Sequence, residues 1–546
     1  MKKLILILLS LLLLMPFCIF AEAKCLLGDV DDDGEIGIYD YLLVARIYFG
    51  TYIPTEQQTL AADVNKSGDV DQYDYLLIQR HYFGTYTITG DAPSAIPSDA
   101  VVAELIPDSQ SLADMKKNTA SLQSLVDEAS ANGGGTIYIP EGTYYFASQG
   151  LNKRGNEEYV CMPKDNVTIV GAGEGTCLMP VGKSRGGLDM FYFNEYADSG
   201  FTNPKYLVNA DFRDFVIDGA LANAEVYTSA GKGFMINLYK DCDWYNVTVK
   251  NTDGTGFGMD CPINCTIINC KAYGCGKLAT TANVGASGFG IGTGYCEDET
   301  ILIDNCYAEG NKKFGVFFEH QGRFCGGRHY SATKMKGFLI QNCTAKNNYI
   351  DFGGELAVDV TYRHCTVPSD STSSSKIAFT HHSIRCTVED MNVECLFSDV
   401  SDKSASYYDA VYWAVNKGLT TGIGDNLFGV GTQCTKGHAV TFLYRLASCP
   451  GELRLTGTGE KAYYENALTW ANKIGISESE GDMNTALTQD KLIEYLWIYS
   501  GKPSASGANA THINWALENG IIENLNQDAF TRASAVSVLY KYFEGA

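Results

Sequence analysis

The chain has 546 residues, too many for one hydrophobic core, so roughly two to four domains are expected. Its 64 acidic against 41 basic residues give a net charge of −23, which excludes nucleic-acid binding by simple electrostatics. With 56 glycines, 34 tyrosines and only 19% charged residues, the composition describes a β-rich, turn-rich body with aromatic surface able to stack on sugars.

Met1-Lys2-Lys3, the apolar run Leu4 to Phe20 and the small-residue site Ala21-Glu22-Ala23 read as a secretory signal peptide over residues 1–23, so the mature chain is expected to start at Lys24. No later stretch is apolar and long enough to span a bilayer. Cys18 leaves with the signal, and an odd number of the 18 cysteines remains. Free thiols buried in repeating strands explain that number better than a disulfide framework does.

Residues 29–52 (DVDDDGEIGIYDYLLVARIYFGTY) and 63–86 (DVNKSGDVDQYDYLLIQRHYFGTY) align at an offset of 34 with 14 of 24 positions identical. Each copy opens with oxygen donors at alternating positions, the pattern a hard cation such as Ca²⁺ requires. The first offers Asp29, Asp31, Asp33, the backbone of Glu35, and Asp40 at the twelfth place; the second offers Asp63, Asn65, Ser67, the backbone of Asp69, Asp71 and Asp74. Gly34 and Gly68 stand at the sixth place, where the chain turns sharply around the ion. At Gly37, the ninth place of the first loop, a water would replace a side-chain ligand. The pattern, over about residues 24–90, resembles a type I dockerin. That resemblance implies two bound Ca²⁺ ions and docking onto the cohesin domain of a scaffold protein. In dockerins the tenth and eleventh loop positions help choose the cohesin; here they are Ile38 and Tyr39, then Gln72 and Tyr73. Tyr39 and Tyr73, and Arg46 and Arg80, are equivalent under the duplication, so two nearly interchangeable docking faces are expected.

From about residue 98 the period changes. Ala120 to Ala131 carries apolar residues at helical spacing, and residues 133–146 (GGGTIYIPEGTYYF) then give a glycine turn, a strand, Pro140 and a second strand. A helix leading into paired short strands suits the capped end of a stack of β coils. With residues 166–180, these segments resemble the start of pectate-lyase-like right-handed parallel β-helix proteins, and an all-β domain over residues 98–400 is expected. The pairs Phe257-Gly258, Phe289-Gly290, Phe314-Gly315 and Phe352-Gly353 each open a short strand, while Asn269-Cys270, Asn305-Cys306, Asn342-Cys343 and His364-Cys365 mark another. In such a solenoid like side chains stack about 4.8 Å apart, giving Phe and Cys ladders and Asn ladders at the turns. Cys261, Cys265, Cys270 and Cys275 are spaced by four and five with no CxxC, which weighs against zinc.

Aligned on their Phe-Gly pairs, the coils place Asp260, Gly292, Phe317 and Glu355 in one column, with Glu319 and His320 just beyond. Asp260 and Glu319 would then lie about 10 Å apart, two rungs of the sheet and near the wide end for inverting glycoside hydrolysis. The loop after Glu319 adds Gln321, Arg323, Arg328 and His329, a cluster suited to an acidic sugar. The candidate catalytic residues are therefore Asp260, Glu319, His320 and Arg323. The same carboxylates with a further Ca²⁺ in the groove would equally suit β-elimination on a uronic acid. Asn251-Thr252-Asp253-Gly254 resembles a polygalacturonase segment, but Gly256 stands where those enzymes have their next Asp. Residues 256–262 (GFGMDCP) resemble a segment of alginate epimerases and related lyases, with Asp260 matched but Phe257 and Pro262 in place of the Tyr and His. Neither activity transfers on those residues. Turn capping is the competing role for Asp253 and Asp260.

After about residue 402 the period becomes helical, and residues 407–451, 463–503 and 510–545 form three copies of helix, loop, capped helix. They resemble S-layer homology repeats, an all-α module over residues 402–546 that implies binding to cell-wall polysaccharide. The family's TRAE-like motif stands here as Thr435-Lys436, Thr488-Gln489 and Thr531-Arg532. Trp413, Trp470 and Trp515 occupy equivalent first-helix positions, where a core role is expected. The whole reads as a secreted modular protein, cellulosome-associated and acting on acidic plant polysaccharide by lyase or glycosidase chemistry. The alternative is a non-catalytic glycan-binding or adhesion protein whose groove holds glycan without cleaving it.

Overall fold

The computed structural model describes residues 27–31, 36–54, 56–65, 70–82, 88, 100–283, 285–321, 332, 334–380, 383–391, 396–450, 463–505, 511–526 and 530–545. The expected signal peptide, Asp33, Glu35, Ser67, Asp69, Arg323, Arg328 and His329 lie outside the described residues. The chain divides into two compact units, residues 1–95 and 96–546.

Among the described residues the first unit has three helices, Ile38–Tyr48, Glu56–Ala62 and Gln72–Tyr82. The first and third follow the duplicated loops and pack on each other. Tyr41 and Tyr75, equivalent under the 34-residue offset, stack at 4.6 Å and share a hydroxyl–hydroxyl hydrogen bond. Each helix begins where its loop's last carboxylate turns back on the loop backbone. Asp40 accepts from the backbone N–H groups of Val30 (2.6 Å), Asp31 (3.1 Å) and Gly37 (2.7 Å). Asp74 does the same for Asn65 (3.1 Å) and Asp71 (2.8 Å).

The second unit opens with a short strand, Val101–Val102, and a capping helix, Leu112–Ala131, longer at its start than the apolar period over 120–131 predicts. Ser111 caps it by accepting from the N–H of Asp114 at 3.1 Å. The added turns are held by polar side chains that hydrophobic periodicity cannot register. Buried Asn118 accepts from Ile106 N–H at 2.7 Å and donates to Ile106 and Tyr145 carbonyls, while Thr119 donates to Ala147. Leu122 and Val126 close the end of the stack beneath it.

The body is a parallel β-helix. One sheet climbs through Leu188–Phe193, Phe234–Lys240, Phe257–Ile263, Phe289–Thr293, Phe314–His320, Ile350–Glu355 and Ser375–Thr380, each pairing in parallel with the next. A second sheet runs on the opposite side through Asp211–Asp218, Asp243–Lys250, Cys265–Ile268, Thr300–Asp304, Gly337–Gln341 and Val360–Arg363. The aromatic ladder forms inside. Phe191, Phe234, Phe257 and Phe289 stack in sequence at 5.3, 5.4 and 4.6 Å with planes within 18°.

Corners between strands need a left-handed residue, and Asn tolerates that conformation through its short polar side chain. Asn269, Asn305 and Asn342 sit there at φ of 54, 47 and 47°, followed in the same column by His364 at 50°. Asn305 Nδ2 donates to Asn269 Oδ1 at 2.8 Å, and Asn311 Nδ2 to Asn348 Oδ1 at 2.9 Å, so the turns carry the expected amide ladders. The cysteine after each corner points inward, and its thiol donates to the carbonyl two residues before it, at 3.3 Å for Cys270 and 3.2 Å for Cys306 and Cys343. The described residues include 14 cysteines, all free thiols. Among them burial pushes the pKa of Cys161 far up and those of Cys275 and Cys386 to about 11 and about 12, which keeps them protonated.

Among the described residues the C-terminal third has six α-helices, in three pairs. Lys436–Leu446 packs on Glu465–Ile474, Gln489–Tyr499 on His512–Glu518, and Arg532–Glu544 closes the ring on Tyr408–Asn416. Each pair joins the second helix of one repeat to the first of the next. The three tryptophans are core residues, Trp413 packing on Tyr540 at 5.6 Å, Trp470 on Tyr444 at 5.7 Å and Trp515 on Tyr542 at 5.8 Å. One hydrophobic cluster runs unbroken from Ala103 to Leu539, so this module shares its core with the last coils. Tyr408–Asn416 lies against the final strand Thr387–Glu389 and covers the open end of the stack.

Candidate functional site

The strand register builds the groove. Asn237, Asp260, Gly292, Glu319, Glu355 and Thr380 are successive partners across six strands and so form one column. This corrects the alignment on Phe-Gly pairs, which put Phe317 where Glu319 stands. Phe257 and Phe289 pair onward with Val316, not Phe314, because the strand Phe314–His320 begins two residues early. A slip of two leaves the in-out alternation intact, so alternation alone cannot detect it. Phe314 instead stacks on Phe317 at 4.4 Å in a small separate cluster with Ile350.

Gly292 stands between the two carboxylates, and its missing side chain makes the site. A Cβ there would collide with Oδ1 of Asp260 and Nε2 of Gln321, which converge over it. The result is an open pocket of about 290 Å³ lined by Asp260, Glu319, Gln321, Lys232, Ser229 and Thr255, with Met235, Ile291 and Phe317 as its apolar surface. Asp260 accepts from Gly292 N–H at 3.0 Å and from Asn237 Nδ2 at 3.4 Å. Burial raises its pKa above the ordinary carboxylate value, opposed by the charge of Lys232. Lys232 runs over Gly258, where a Cβ would lie 2.5 Å from its Cδ, and reaches Met235 Sδ at 3.2 Å.

The remaining predicted residues separate. His320 is fully buried, packed over Gly294 with its Nε2 donating to the carbonyl of Ala332; burial lowers its pKa, and it does not line the pocket. Asp253 is 2% exposed and ion-paired with Lys277 at 3.3 Å, outside the pocket lining. Sequence reasoning missed Lys232 and Asn237. Both belong to the coil that opens Phe234-Met235 rather than Phe-Gly, so the motif used for alignment passed over it.

In the first unit, ligand oxygens of Asp29, Asp31 and Asp40 lie within 4.8 Å of one another. In the second loop burial raises Asp74 to about 7 and also raises Asp71, with the charge of Asp63 adding to both. Carboxylates gathered against their own repulsion, with oxygen donors only, fit Ca²⁺. Among the described residues the groove carboxylates do not gather into such a three-donor group. The two docking faces differ: Tyr39 is 69% exposed and its counterpart Tyr73 only 2%, so identity under the duplication has not kept equal surfaces.

In the helical module Thr435, Thr488 and Thr531 cap their helices by accepting from His438, Lys491 and Ser534 N–H groups. Arg532 is turned inward at 3% exposure, donating to Phe428 O and Thr420 Oγ1. Lys436 and Lys491 both reach Glu478 at 3.1 Å.

The family model described as rhamnogalacturonase A/epimerase, pectate lyase-like, matches residues 112–394, just over half of the chain. The chain belongs to that family. The dockerin type I domain matches residues 27–81 and the S-layer homology domain residues 396–440, so the three modules follow in order. Similar solved structures include the A-modules of the Azotobacter vinelandii mannuronan C-5 epimerases AlgE4 and AlgE6. AlgE4 shares 18% identity over 50% of this chain and 72% of that one at a TM-score of 0.34; AlgE6 shares 15% over 50% and 90% at 0.33. A tailspike protein double mutant of E. coli bacteriophage HK620 shares 14% identity over 50% of this chain and 57% of its own at 0.32. Likeness at this level carries nothing about chemistry. No curated protein matches the chain. A dockerin, a pectate-lyase-like β-helix and an S-layer homology domain together make this a carbohydrate-active or carbohydrate-binding protein of the cell exterior or surface. Among the described residues no helix is long and apolar enough to cross a membrane.

Proposed function

We propose that the β-helix hydrolyses an acidic, pectin-like polysaccharide in the Asp260–Glu319 groove. The observation that carries this reading is the register, which sets Asp260 and Glu319 in one column two rungs apart, about 10 Å between their backbone positions, with the Asp260 carboxyl leaning over the glycine rung between them. That opening admits a glycosidic bond and a water between them. Asp260, raised by burial, holds the proton for the leaving oxygen. Glu319 takes the proton of the attacking water. Lys232 supplies the counter-charge for a uronic carboxylate, and Phe317, Met235 and Ile291 a surface for the sugar face.

The same reading takes two Ca²⁺ in the paired loops, a cohesin-bearing scaffold as partner, and cell-wall polysaccharide as the ligand of the helical module. Incubation with polygalacturonate, rhamnogalacturonan and alginate, following reducing ends and unsaturated products together, tests the chemistry. Reducing ends without unsaturation are expected, with turnover at least about a hundredfold lower in Asp260→Asn and Glu319→Gln. An unsaturated product would move the reading to β-elimination, and binding without turnover would move it to a glycan-holding groove.

A further inference from the structure

One wall of the groove is the segment between the short strand Ala222–Ala224 and the strand Phe234–Lys240. It brings Ser229 and Lys232 to the pocket. The Asn251-Thr252-Asp253-Gly254 segment, which the chemistry above leaves unused, holds both ends of it. Asp253 Oδ2 accepts from Ala224 N–H at 2.9 Å, and Gly254 N–H donates to Gly231 O at 3.0 Å. Lys277, the ion-pair partner of Asp253, also donates to the carbonyls of Gly219 (2.7 Å) and Ala222. Gly231, at φ +76°, lies so close that a Cβ would sit 2.8 Å from Cβ of Asp253.

Pinned this way, the wall places the Tyr227 hydroxyl over Gly285, where a Cβ would lie 2.8 Å from its oxygen. Gly285 lines the same pocket as Glu319. Burial raises the phenol well above its ordinary range, and the charge of Glu319 adds to the rise. A phenol that keeps its proton is available to an anionic neighbour as a hydrogen-bond donor.

We propose that Tyr227, at the edge of the pocket against Gly285, adds to Asp260, Glu319 and Lys232 as a hydroxyl donor to Glu319 and to the water Glu319 activates, and that the Asp253–Lys277 pair is the latch that positions it. The proposal rests on the hydrolytic reading. In the step itself Glu319 takes a proton from water and the water oxygen bonds to the anomeric carbon. The bond to the leaving oxygen breaks, and that oxygen takes the proton of Asp260. Tyr227 keeps its own proton throughout.

Tyr227→Phe removes one oxygen and keeps the ring. On the glycan that the wild type cleaves, kcat should fall about tenfold or more with KM within about twofold. The acidic limb of the pH profile should move to higher pH, because the general base has lost a donor that stabilises its ionised form. A packing role leaves that limb in place. Asp253→Asn with Lys277→Met, which strands no buried charge, should give a comparable fall, and adding Tyr227→Phe to it should cost little more. A wild type inactive on every glycan overturns the hydrolytic reading and this proposal together. An active wild type that loses turnover in Asp260→Asn and Glu319→Gln but keeps rate and acidic limb in Tyr227→Phe overturns the Tyr227 assignment alone. Full additivity of the latch and tyrosine variants overturns the latch.

Discussion

The calcium-loop pair and the β-helix are both built by repetition, yet their repeats preserve different residues. In 29–52 and 63–86 the shared positions include Asp40 and Asp74, the carboxylates that close the two loops by accepting from loop backbone N–H groups. In the coils the shared positions are Phe234, Phe257 and Phe289, or Cys270, Cys306 and Cys343, which face one another. Repetition marks the site in the first case. In the second it marks the scaffold, and the site lies where the repeat is broken, at Asp260 and Glu319 on either side of a glycine.

Removing calcium should separate the two regions most sharply. With EDTA, the backbone amides of Ile38–Tyr48 and Gln72–Tyr82 should lose most of their hydrogen-exchange protection, since their first turns are tied to Asp40 and Asp74, the proposed Ca²⁺ ligands that close the loops. The rungs around Phe257 should exchange as before. Loss of protection there as well would place an ion in the groove and break the contrast.

Cutting the ladder is the converse experiment. Phe257 stacks between Phe234 and Phe289 and is fully buried, so Phe257→Ala should destabilise the second unit by about 3–5 kcal/mol, read as a lower denaturation midpoint. Gly292→Ala attacks the break instead of the repeat. Its added methyl falls on Asp260 and Gln321, so turnover should drop about tenfold or more while the denaturation midpoint moves far less than in Phe257→Ala. An unchanged turnover would detach the column from the chemistry.

The order of modules, the Phe and Asn ladders and the three helix–loop–helix repeats were legible because each rests on a short-range signal: an apolar period, a glycine turn, a left-handed Asn; the pairing of helices across repeats was not. The column itself was legible only to within two residues, since Phe314-Gly315 imitates the ladder motif without joining it. Lys232 and Tyr227 were hidden for another reason. They lie on a wall whose course is set by Asp253 and Lys277, contacts of long sequence separation that no period announces. The burial of Tyr73 against the exposure of Tyr39 is equally invisible in the Tyr-Asp-Tyr-Leu-Leu segment that the two copies share.

The smallest effect concerns a carboxyl group of the scaffold that no repeat contains. Asp189 is fully buried on the strand Leu188–Phe193, where Oδ1 accepts from Lys232 N–H at 2.7 Å and Oδ2 has no hydrogen bond among the described residues. Burial raises it to about 7, so the native state holds a proton that the unfolded chain releases near its ordinary value of 3.8. Its contribution to stability is therefore complete below about pH 4 and is lost as the pH rises toward 7. Glu299, raised to about 7 by burial despite three backbone donors, acts in the same direction. In Asp189→Asn the acceptor to Lys232 survives while the titration is gone. The variant should lose less stability than the wild type between pH 4 and 7, by on the order of 1 kcal/mol or more, measured as denaturation midpoints at matched ionic strength. Parallel curves for the two proteins would show that Asp189 is ionised in the native state. The Lys232 backbone would then sit against a buried charge, and the groove wall that begins there would carry a stronger field than burial alone predicts.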